Sequence, residues 1–313
     1  MAHGMKGPVY LFFAFTLAGT SVVAARFVAG LLGIFTITAV SLAIALLFLV
    51  PAYFKKIVRI LAGLPLKGYL FLAVQALCGI FLFRMFLLGG LAYTSSGEAG
   101  ILTSATPAIT AVLAMIFLKE RAGWKKVAGI IMTVTGVLLI QGLLAPEGAL
   151  SMSHFLGNML VICAAACESL FNIFSRAFVL KGASGGRPMA EPPVQTAIVS
   201  AMALVLCFIP ALLEHPMQRL GAIGVTEWLA LLWYGLFVTA LAFICWYEGI
   251  SRCGALTAAA FSGMMPFTSA LLSVLILGER LGWRQLAGGL LVAGGMVVLG
   301  GSAVRKKEKQ LTA

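Results

Sequence analysis

Long apolar segments separated by short polar connections run through the whole chain, and they constrain its fold more than any other feature. A transmembrane helix needs about 20 mostly apolar residues. In lipid, only a helix or a closed barrel bonds all of its backbone polar groups internally. The sequence predicts ten such helices, at residues 8–26, 30–52, 68–92, 97–118, 127–144, 155–178, 194–213, 227–250, 254–277 and 285–302. We therefore predict an all-α integral membrane protein with ten transmembrane helices.

The composition and charge of the chain support the same class. Of its 313 residues, 61% are hydrophobic and 10% are charged, whereas about 25% of the residues in a soluble domain are charged. The net charge of +12 raises the question of nucleic-acid binding. The basic residues lie in short runs between apolar segments, however, where lipid headgroups attract them. We expect the lipid bilayer as a partner and no nucleic acid.

The distribution of Lys and Arg predicts the orientation in the membrane. If ten spans are counted, 17 of the 22 basic residues lie in segments on the same side as the N-terminus. Cytoplasmic loops carry the excess of Lys and Arg. The sequence therefore predicts a multi-pass protein of the bacterial cytoplasmic (inner) membrane, with both termini in the cytoplasm.

A twelve-residue phrase occurs twice, as LKERAGWKKVAG at residues 118–129 and as LGERLGWRQLAG at residues 277–288. Seven of the twelve positions match, at a constant offset of 159 residues. The two copies follow spans four and nine, so an odd number of spans separates them and they lie on opposite sides of the membrane. The lysines mark the cytoplasmic copy. Matched positions continue on both sides of the phrase at Pro107/Pro266, Glu120/Glu279, Trp124/Trp283, Gly129/Gly288 and Gly136/Gly295.

This repetition predicts two five-helix repeats of inverted topology around a central cavity, residues 1–150 and residues 151–313. Inverted repeats are the usual architecture of secondary transporters, whose substrate site lies near the midplane. The alternative is a duplicated pair of helices without a transport role.

Residue types that are missing argue against enzymes and cofactors. The ten acidic residues are all Glu, which removes aspartyl proteases and aspartyl-phosphate pumps. The three histidines lie in predicted loops or at span ends, so neither a metal site nor a haem is expected within the bundle. There is no G-x-x-x-x-G-K-[ST] motif for ATP. We expect no enzyme, no cofactor and no metal.

Glu168 lies midway along predicted span six, where a charged side chain is costly and is by default a functional hypothesis. Asn172 follows one helical turn later on the same face. Apolar surroundings disfavour the charged form of a carboxyl group, which suits a proton carrier or a binder of a substrate ammonium group. A static partner of Arg84, or a polar contact between helices, is the alternative.

Arg84 is the deep basic residue of predicted span three. It could clamp a substrate carboxylate through two hydrogen bonds, or pair permanently with Glu98 or Glu168. Arg26 and Glu98 lie near the outer ends of spans one and four. Either they form a gate, with Glu98 a further candidate for proton coupling, or they extend towards the headgroups.

Pro107 and Pro266 occupy matching positions within predicted spans four and nine. Because proline has no N–H, it leaves the carbonyl four residues earlier unbonded and bends the helix. The carbonyls concerned belong to Thr103 and Ser262, which could face the cavity. A bend that serves only packing is the alternative.

Several other residues in the spans have two open interpretations. Phe171, Trp246 and Tyr247 could form the cavity wall or a cation-binding face, or they could be ordinary core. The repeated glycines of spans five and ten allow close helix approach, within one chain or between two copies. Glu248 and Arg252 are one turn apart, and the spacing predicts an ion pair within one helix.

Residues 92–140 resemble the half-repeat of EamA-type carriers in the drug/metabolite transporter superfamily. Their sequence is AYTSSGEAGILTSATPAITAVLAMIFLKERAGWKKVAGIIMTVTGVLLI. The shared pattern is a helix of small residues with a proline, then Leu-x-Glu-Arg, then a glycine-bearing helix. Residues 237–300 resemble the second copy more closely. The resemblance implies ten helices in two inverted halves and a cavity lined by spans one, three, four, six, eight and nine. At Glu168 this chain departs from many members, which have an aromatic residue there.

What the resemblance implies about activity is the export of amino acids or other small metabolites. We expect a secondary carrier that works by alternating access on such a substrate, with protons as the coupling ion through Glu168. An importer, or a carrier of lipid-like or drug-like metabolites, is the alternative within this fold. A non-transporting scaffold or receptor is the alternative from another class.

Overall fold

The computed structural model describes residues 2–103, 105–117, 124–140, 152–183, 191–261 and 264–311, which are almost entirely helical. Predicted spans one and two are each one long helix, whereas spans three and four are each built from two shorter ones. The helices of the first half are α1 (Ala2–Val28), α2 (Ile34–Gly63), α3 (Leu66–Ala76), α4 (Phe83–Gly90), α5 (Ser96–Thr103), α6 (Thr106–Phe117) and α7 (Trp124–Ile140).

The second half has a similar order, but it has a short extra helix between predicted spans seven and eight, and its single helix Ala242–Phe261 occupies the place of α4 and α5. Its helices are α8 (Met152–Ala183), α9 (Pro192–Leu213), α10 (Pro216–Leu220), α11 (Val225–Trp233), α12 (Ala242–Phe261), α13 (Met264–Leu277) and α14 (Trp283–Leu311).

Six helical stretches among the described residues are long and apolar enough to cross a membrane. They are Lys6–Val28, Ile34–Gly63, Leu66–Gly90, Met152–Ser175, Pro192–Leu213 and Val225–Arg252, and they match predicted spans one, two, three, six, seven and eight. Shorter apolar helices lie within predicted spans five and nine, and span four is divided between α5 and α6. The protein is therefore a helical membrane protein, and the total of ten spans stays a prediction.

A stretch of π-helix interrupts predicted span three, and another interrupts predicted span eight. The first π segment, Leu77–Leu82, joins α3 to α4, and the second, Tyr234–Leu241, joins α11 to α12. The positions 159 residues after the first segment fall inside the second, so the irregularity recurs at equivalent places in the two halves. π-Helical turns are rare and are frequently found at functional sites. The sequence analysis did not foresee them.

The helices α7 and α14 pack directly against each other through the repeated glycines. A Cβ atom added at Gly136 would lie 2.6 Å from the carbonyl oxygen of Gly288, and one added at Gly295 would lie 2.7 Å from that of Gly129. The later glycine of each helix meets the earlier glycine of the other, so the two helices run antiparallel. The glycine motif thus serves packing within one chain, which answers the question that the sequence left open.

The main hydrophobic core lies between helices of both halves. Val22 of α1, Leu87 of α4, Leu102 of α5, Val161 of α8 and Leu231 of α11 are all buried in this one cluster. Large apolar side chains are exposed elsewhere on the spans, as expected for surfaces that meet lipid. This core holds α1 beside α4, α8 and the second π segment, which surround the candidate site.

Candidate functional site

A cavity lies between α1, the two π segments, α4, α8, α12 and α13. Its lining is mostly apolar and aromatic, with a few polar groups, which is the usual character of a small-molecule site. Five residues predicted for the site line it: Arg84, Glu168, Phe171, Asn172 and Trp246. Small residues of α1, Ala14 and Ala18 among them, leave room for it.

Arg84 enters the cavity from α4, immediately after the first π segment, and its side chain is 3% exposed. Its Nη1 donates to Ser41 Oγ at 2.8 Å and its Nη2 donates to Thr239 Oγ1. Both hydroxyls donate their own hydrogens to carbonyl oxygens, those of Thr38 and Tyr234, so each presents a lone pair to Arg84. The guanidinium carbon also lies 4.5 Å from the centre of the Tyr234 ring.

These contacts with Arg84 are all to neutral groups. Within the described part of the chain, neither of the carboxylates that the sequence offered as permanent partners, Glu98 and Glu168, is bonded to it. Two of the five N–H donors of the guanidinium are accounted for by the hydroxyls. A buried cation without a counter-charge is costly, and a bound anion in the cavity would offset that cost.

Glu168 reaches the cavity from the middle of α8 and is partly exposed to it. Its Oε2 lies 2.9 Å from the hydroxyl oxygen of Thr106 at the start of α6. The adjacent Ser169 hydroxyl lies 3.0 Å from the Thr106 carbonyl oxygen, so α8 contacts the side-chain hydroxyl and the carbonyl group of this threonine. Sequence reasoning missed Thr106, although its place directly before Pro107 was a signal.

Pro107 stands at a helix break and not at a bend within a continuous helix. One helix ends at Thr103 and the next begins at Thr106, so Pro107 lies in the first turn of α6, where proline is tolerated. The Thr103 carbonyl accepts a hydrogen bond from the Thr106 hydroxyl at 2.7 Å, which replaces the N–H that proline lacks. Thr103 itself is outside the cavity lining in the described part of the chain.

The second proline cannot be placed in the same way. Helix α12 is described as far as Phe261 and α13 from Met264, and residues 262 and 263 between them lie outside the described part of the chain. Ser262, predicted to contribute a free carbonyl, lies outside the described residues. At Pro107 the described helix ends and a new one begins instead of bending, whereas the bend predicted at Pro266 stays a prediction.

Aromatic side chains form one wall of the cavity. The rings of Phe171 and Trp246 are 5.2 Å apart between centres, and Phe171 lies 6.0 Å from Phe243. Tyr247 stands behind this wall: it is 3% exposed, and its hydroxyl donates to Gln75 Oε1 at 3.1 Å. Tyr247 was predicted to line the cavity, but the turn of α12 directs it into the packing between helices.

The predicted gate pair of Arg26 and Glu98 does not form. Arg26 donates to the carbonyl oxygen of Leu91 at 2.5 Å. Glu98 is 3% exposed, does not extend to the surface, and lies 2.9 Å from His154 Nε2 and 2.6 Å from Gln285 Nε2. Arg26 and Glu98 are therefore bonded to other groups and not to each other. Among the described residues, Glu98 also lies outside the cavity lining.

Glu279, the glutamate of the second Leu-x-Glu-Arg copy, has a structural role that the sequence repeat did not predict. Glu279 accepts hydrogen bonds from the backbone N–H groups of Ser96 and Gly97, at 3.1 and 2.9 Å. It thereby caps the first turn of α5, where unbonded N–H groups and the helix dipole favour an anion.

The intrahelical ion pair of Glu248 and Arg252 is confirmed, with Nε and Nη2 of Arg252 each 2.9 Å from Oε2 of Glu248.

Comparison with known proteins gives a family for this architecture. The profile of the EamA-like transporter family matches residues 5–142 and 155–301. The "Uncharacterized transporter YetK" of Bacillus subtilis (strain 168) is 31% identical over 279 residues, which cover 88% of this chain and 81% of that protein. The "Probable amino-acid metabolite efflux pump" of Salmonella typhimurium (strain LT2) is 28% identical over 205 residues, which cover 63% of this chain and 64% of that pump.

A solved crystal structure of a protein with 22% sequence identity aligns over 96% of this chain and 98% of its own, with a TM-score of 0.63. That likeness shows the shared fold. The family profile matches the chain twice and leaves few residues unmatched. The chain therefore belongs to the EamA-like transporter family of the drug/metabolite transporter superfamily, and it is a membrane transporter and not an enzyme.

Proposed function

We propose that this protein exports amino acids or similar small zwitterionic metabolites across the cytoplasmic membrane. One observation carries the proposal: Arg84 and Glu168, which bear opposite charges when ionised, line one cavity and are each bonded to neutral groups. A zwitterion presents a carboxylate and an ammonium group, and it complements both. The name of the related Salmonella pump supports the same class of substrate.

In this proposal Arg84 receives the substrate carboxylate. A guanidinium binds a carboxylate through two parallel hydrogen bonds, and the hydroxyls of Ser41 and Thr239 hold it in place. Glu168, with Asn172 one turn further along α8, receives the ammonium group. The rings of Phe171 and Trp246 contact the rest of the substrate.

Glu168 is also the proposed carrier of a coupling proton. A carboxyl group that takes up either a proton or an ammonium group cannot hold both, so the two compete for it. Such competition couples the export of a cationic group to the entry of a proton.

We further propose that two inverted repeats, residues 1–150 and 151–313, work by alternating access with ten spans in all. The antiparallel packing of the equivalent helices α7 and α14 supports the inversion. The two family matches, on either side of residue 150, support the boundary. The helix break before Pro107 offers a hinge near the cavity. The proposed location is the inner membrane with both termini in the cytoplasm.

Within the same fold, the alternatives are import and the transport of lipid-like or drug-like metabolites. The apolar, aromatic lining of the cavity favours drug-like metabolites among these substrates. A receptor or scaffold without transport activity is the alternative of a different class. It differs from the proposal in having no substrate-dependent flux.

The test is counterflow of radiolabelled amino acids into proteoliposomes, with wild-type protein beside Glu168→Gln, Arg84→Ala and Arg84→Lys. Removing one partner of a buried charged pair costs about 2 kcal/mol or more, so apparent affinity should fall at least about 30-fold. Arg84→Lys should also lose transport, because lysine keeps the charge but not the two-pronged geometry. Glu248→Gln is the matched control, because Glu248 is bonded to Arg252 and lies outside the described cavity lining.

Flux of one amino-acid class that all three site variants lose, and that the control keeps, supports the proposal. If Pro107→Ala and Pro266→Ala abolish transport while Glu168→Gln and Arg84→Ala leave it unchanged, the polar site is wrong. No flux for any amino acid rejects this substrate class.

A further inference from the structure

The hydroxyl group of Thr106 has one hydrogen but lies within hydrogen-bond distance of two oxygen atoms. Its Oγ1 lies 2.7 Å from the Thr103 carbonyl oxygen and 2.9 Å from Glu168 Oε2. Both distances are those of good O–H···O hydrogen bonds. A carbonyl oxygen only accepts, so the Thr103 contact needs the hydrogen of Thr106.

The contact with Glu168 then needs a hydrogen from the carboxyl group. A carboxylic acid has one O–H to donate, whereas an ionised carboxylate only accepts. With the Thr106 hydrogen on Thr103, an ionised Glu168 would place two bare oxygens 2.9 Å apart. The arrangement in the structure is therefore satisfied when Glu168 is protonated and donates to Thr106.

Ionisation of Glu168 changes this arrangement at the helix break. The Thr106 hydroxyl must turn its hydrogen to the carboxylate, because hydrogen bonds to charged acceptors are about twice as strong as neutral ones. The Thr103 carbonyl then loses its donor, and residue 107 has no N–H to replace it. An unbonded carbonyl in an apolar region is costly, so the junction between α5 and α6 must rearrange or take up water.

We infer that Thr106 is the positioning residue through which the protonation of Glu168 controls the break between α5 and α6. Substrate ammonium that ionises Glu168 would release the same bond. The inference rests on the proposed role of Glu168 in transport, and it adds the residue and the hinge that respond to it. Thr106 need not contact the substrate.

Other groups that titrate or carry charge lie on α8, on the elements packed against it and across the cavity, and in the described part of the chain none of them is bonded to Glu168. They are Arg84, Tyr234, Tyr247, Lys67, Tyr69, Cys78, Cys163, Cys167 and, farther away, Glu98 with His154. Arg84 lines the same cavity and is held by hydroxyls. Glu98 contacts His154, which lies fourteen residues before Glu168 on α8, on the order of 20 Å along the helix axis.

The first experiment is infrared difference spectroscopy of purified protein in lipid at neutral pH, without substrate. The C=O stretch of a protonated carboxyl group should be present in the wild type and absent in Glu168→Gln. Thr106→Val keeps the side-chain shape but removes the hydroxyl, so the band should move to higher frequency. Thr106→Ser should keep the wild-type band. A carboxyl region that Glu168→Gln leaves unchanged, or a band that Thr106→Val does not move, overturns the inference.

The second experiment is hydrogen–deuterium exchange of peptides from α5 and α6 as a function of pH, corrected for the intrinsic exchange rate. Wild type and Thr106→Ser should show increased exchange as pH rises through the ionisation of Glu168. Glu168→Gln and Thr106→Val should lack that step. A step that persists in Thr106→Val, or that is absent from wild type, contradicts the coupling. Neither experiment needs a substrate, so failure of amino-acid flux alone would count against the proposed function and not against this coupling.

Discussion

Gly79 of the first π segment is the position where a single methyl group should change the cavity most. A Cβ atom added there would lie 2.3 Å from Cδ2 and 2.7 Å from Cγ of Phe171. Carbon atoms in contact are normally about 3.5–4.0 Å apart. The Phe171 ring must therefore move by about 1.2 Å or the π segment must shift.

The direction of that movement follows from the neighbours of the ring. The centres of the Trp246 and Phe243 rings lie 5.2 Å and 6.0 Å from that of Phe171. The open side of the Phe171 ring faces the cavity, so the ring should move into the cavity. Overpacking of this kind costs about 1–3 kcal/mol. Alanine is a better helix former than glycine by up to about 1 kcal/mol, so the net loss should be about 1–2 kcal/mol.

The assay pairs Gly79→Ala with Gly89→Ala in the same span. A Cβ atom at Gly89 would meet Ile34 Cδ1 at 3.6 Å, which is ordinary contact. Gly79→Ala should lower the melting temperature in detergent and reduce substrate binding, whereas Gly89→Ala should leave both unchanged or raise the melting temperature. Equal behaviour of the two variants would show that the ring and the π segment do not constrain the cavity as described.

Two further predictions concern contacts between the halves. Gly136→Val should lower the melting temperature, because its Cβ would meet a backbone oxygen of α14 at 2.6 Å. Gly289→Ala is the control, because the nearest contact of its Cβ would be 3.5 Å. Equal melting temperatures of the two variants would contradict close packing of α7 on α14. Glu279→Ala should cost about 0.5–2 kcal/mol, the usual effect of losing a helix cap, because two N–H groups of α5 lose their acceptor. Glu227→Ala, whose carboxylate caps the exposed start of α11 within its own helix, should have a smaller effect on melting, and the opposite order would contradict a role for Glu279 in joining the halves.

Features with short-range causes could be predicted from the sequence. Apolar runs of sufficient length predicted the positions of the six candidate spans, although the second helix continues to Gly63, past the predicted end at residue 52. The spacing of Glu248 and Arg252 predicted their ion pair. Pro107 predicted where span four departs from a regular helix, because the missing N–H is a property of the residue itself. The form of the departure, a break with proline in the next first turn, depended on neighbouring helices.

Features with long-range causes could not be predicted in the same way. Glu279 and Ser96 are 183 residues apart in the chain, and nothing local in either segment names the other. The same holds for Arg84, whose possible partners included two glutamates and whose actual partners are hydroxyls of α2 and the second π segment. A buried charge takes whichever partner the packing brings within reach.

By itself, the sequence determined that this chain is a helical membrane protein with a repeated half, because hydrophobicity, helical spacing and repetition are written in consecutive residues. It also identified Arg84 and Glu168 as costly residues that need a reason to be buried. Only the tertiary structure decided that both open into one cavity and that Thr106 stands between Glu168 and a helix break. The physical reason is that a buried polar group must be bonded, but which group bonds it depends on how distant helices pack.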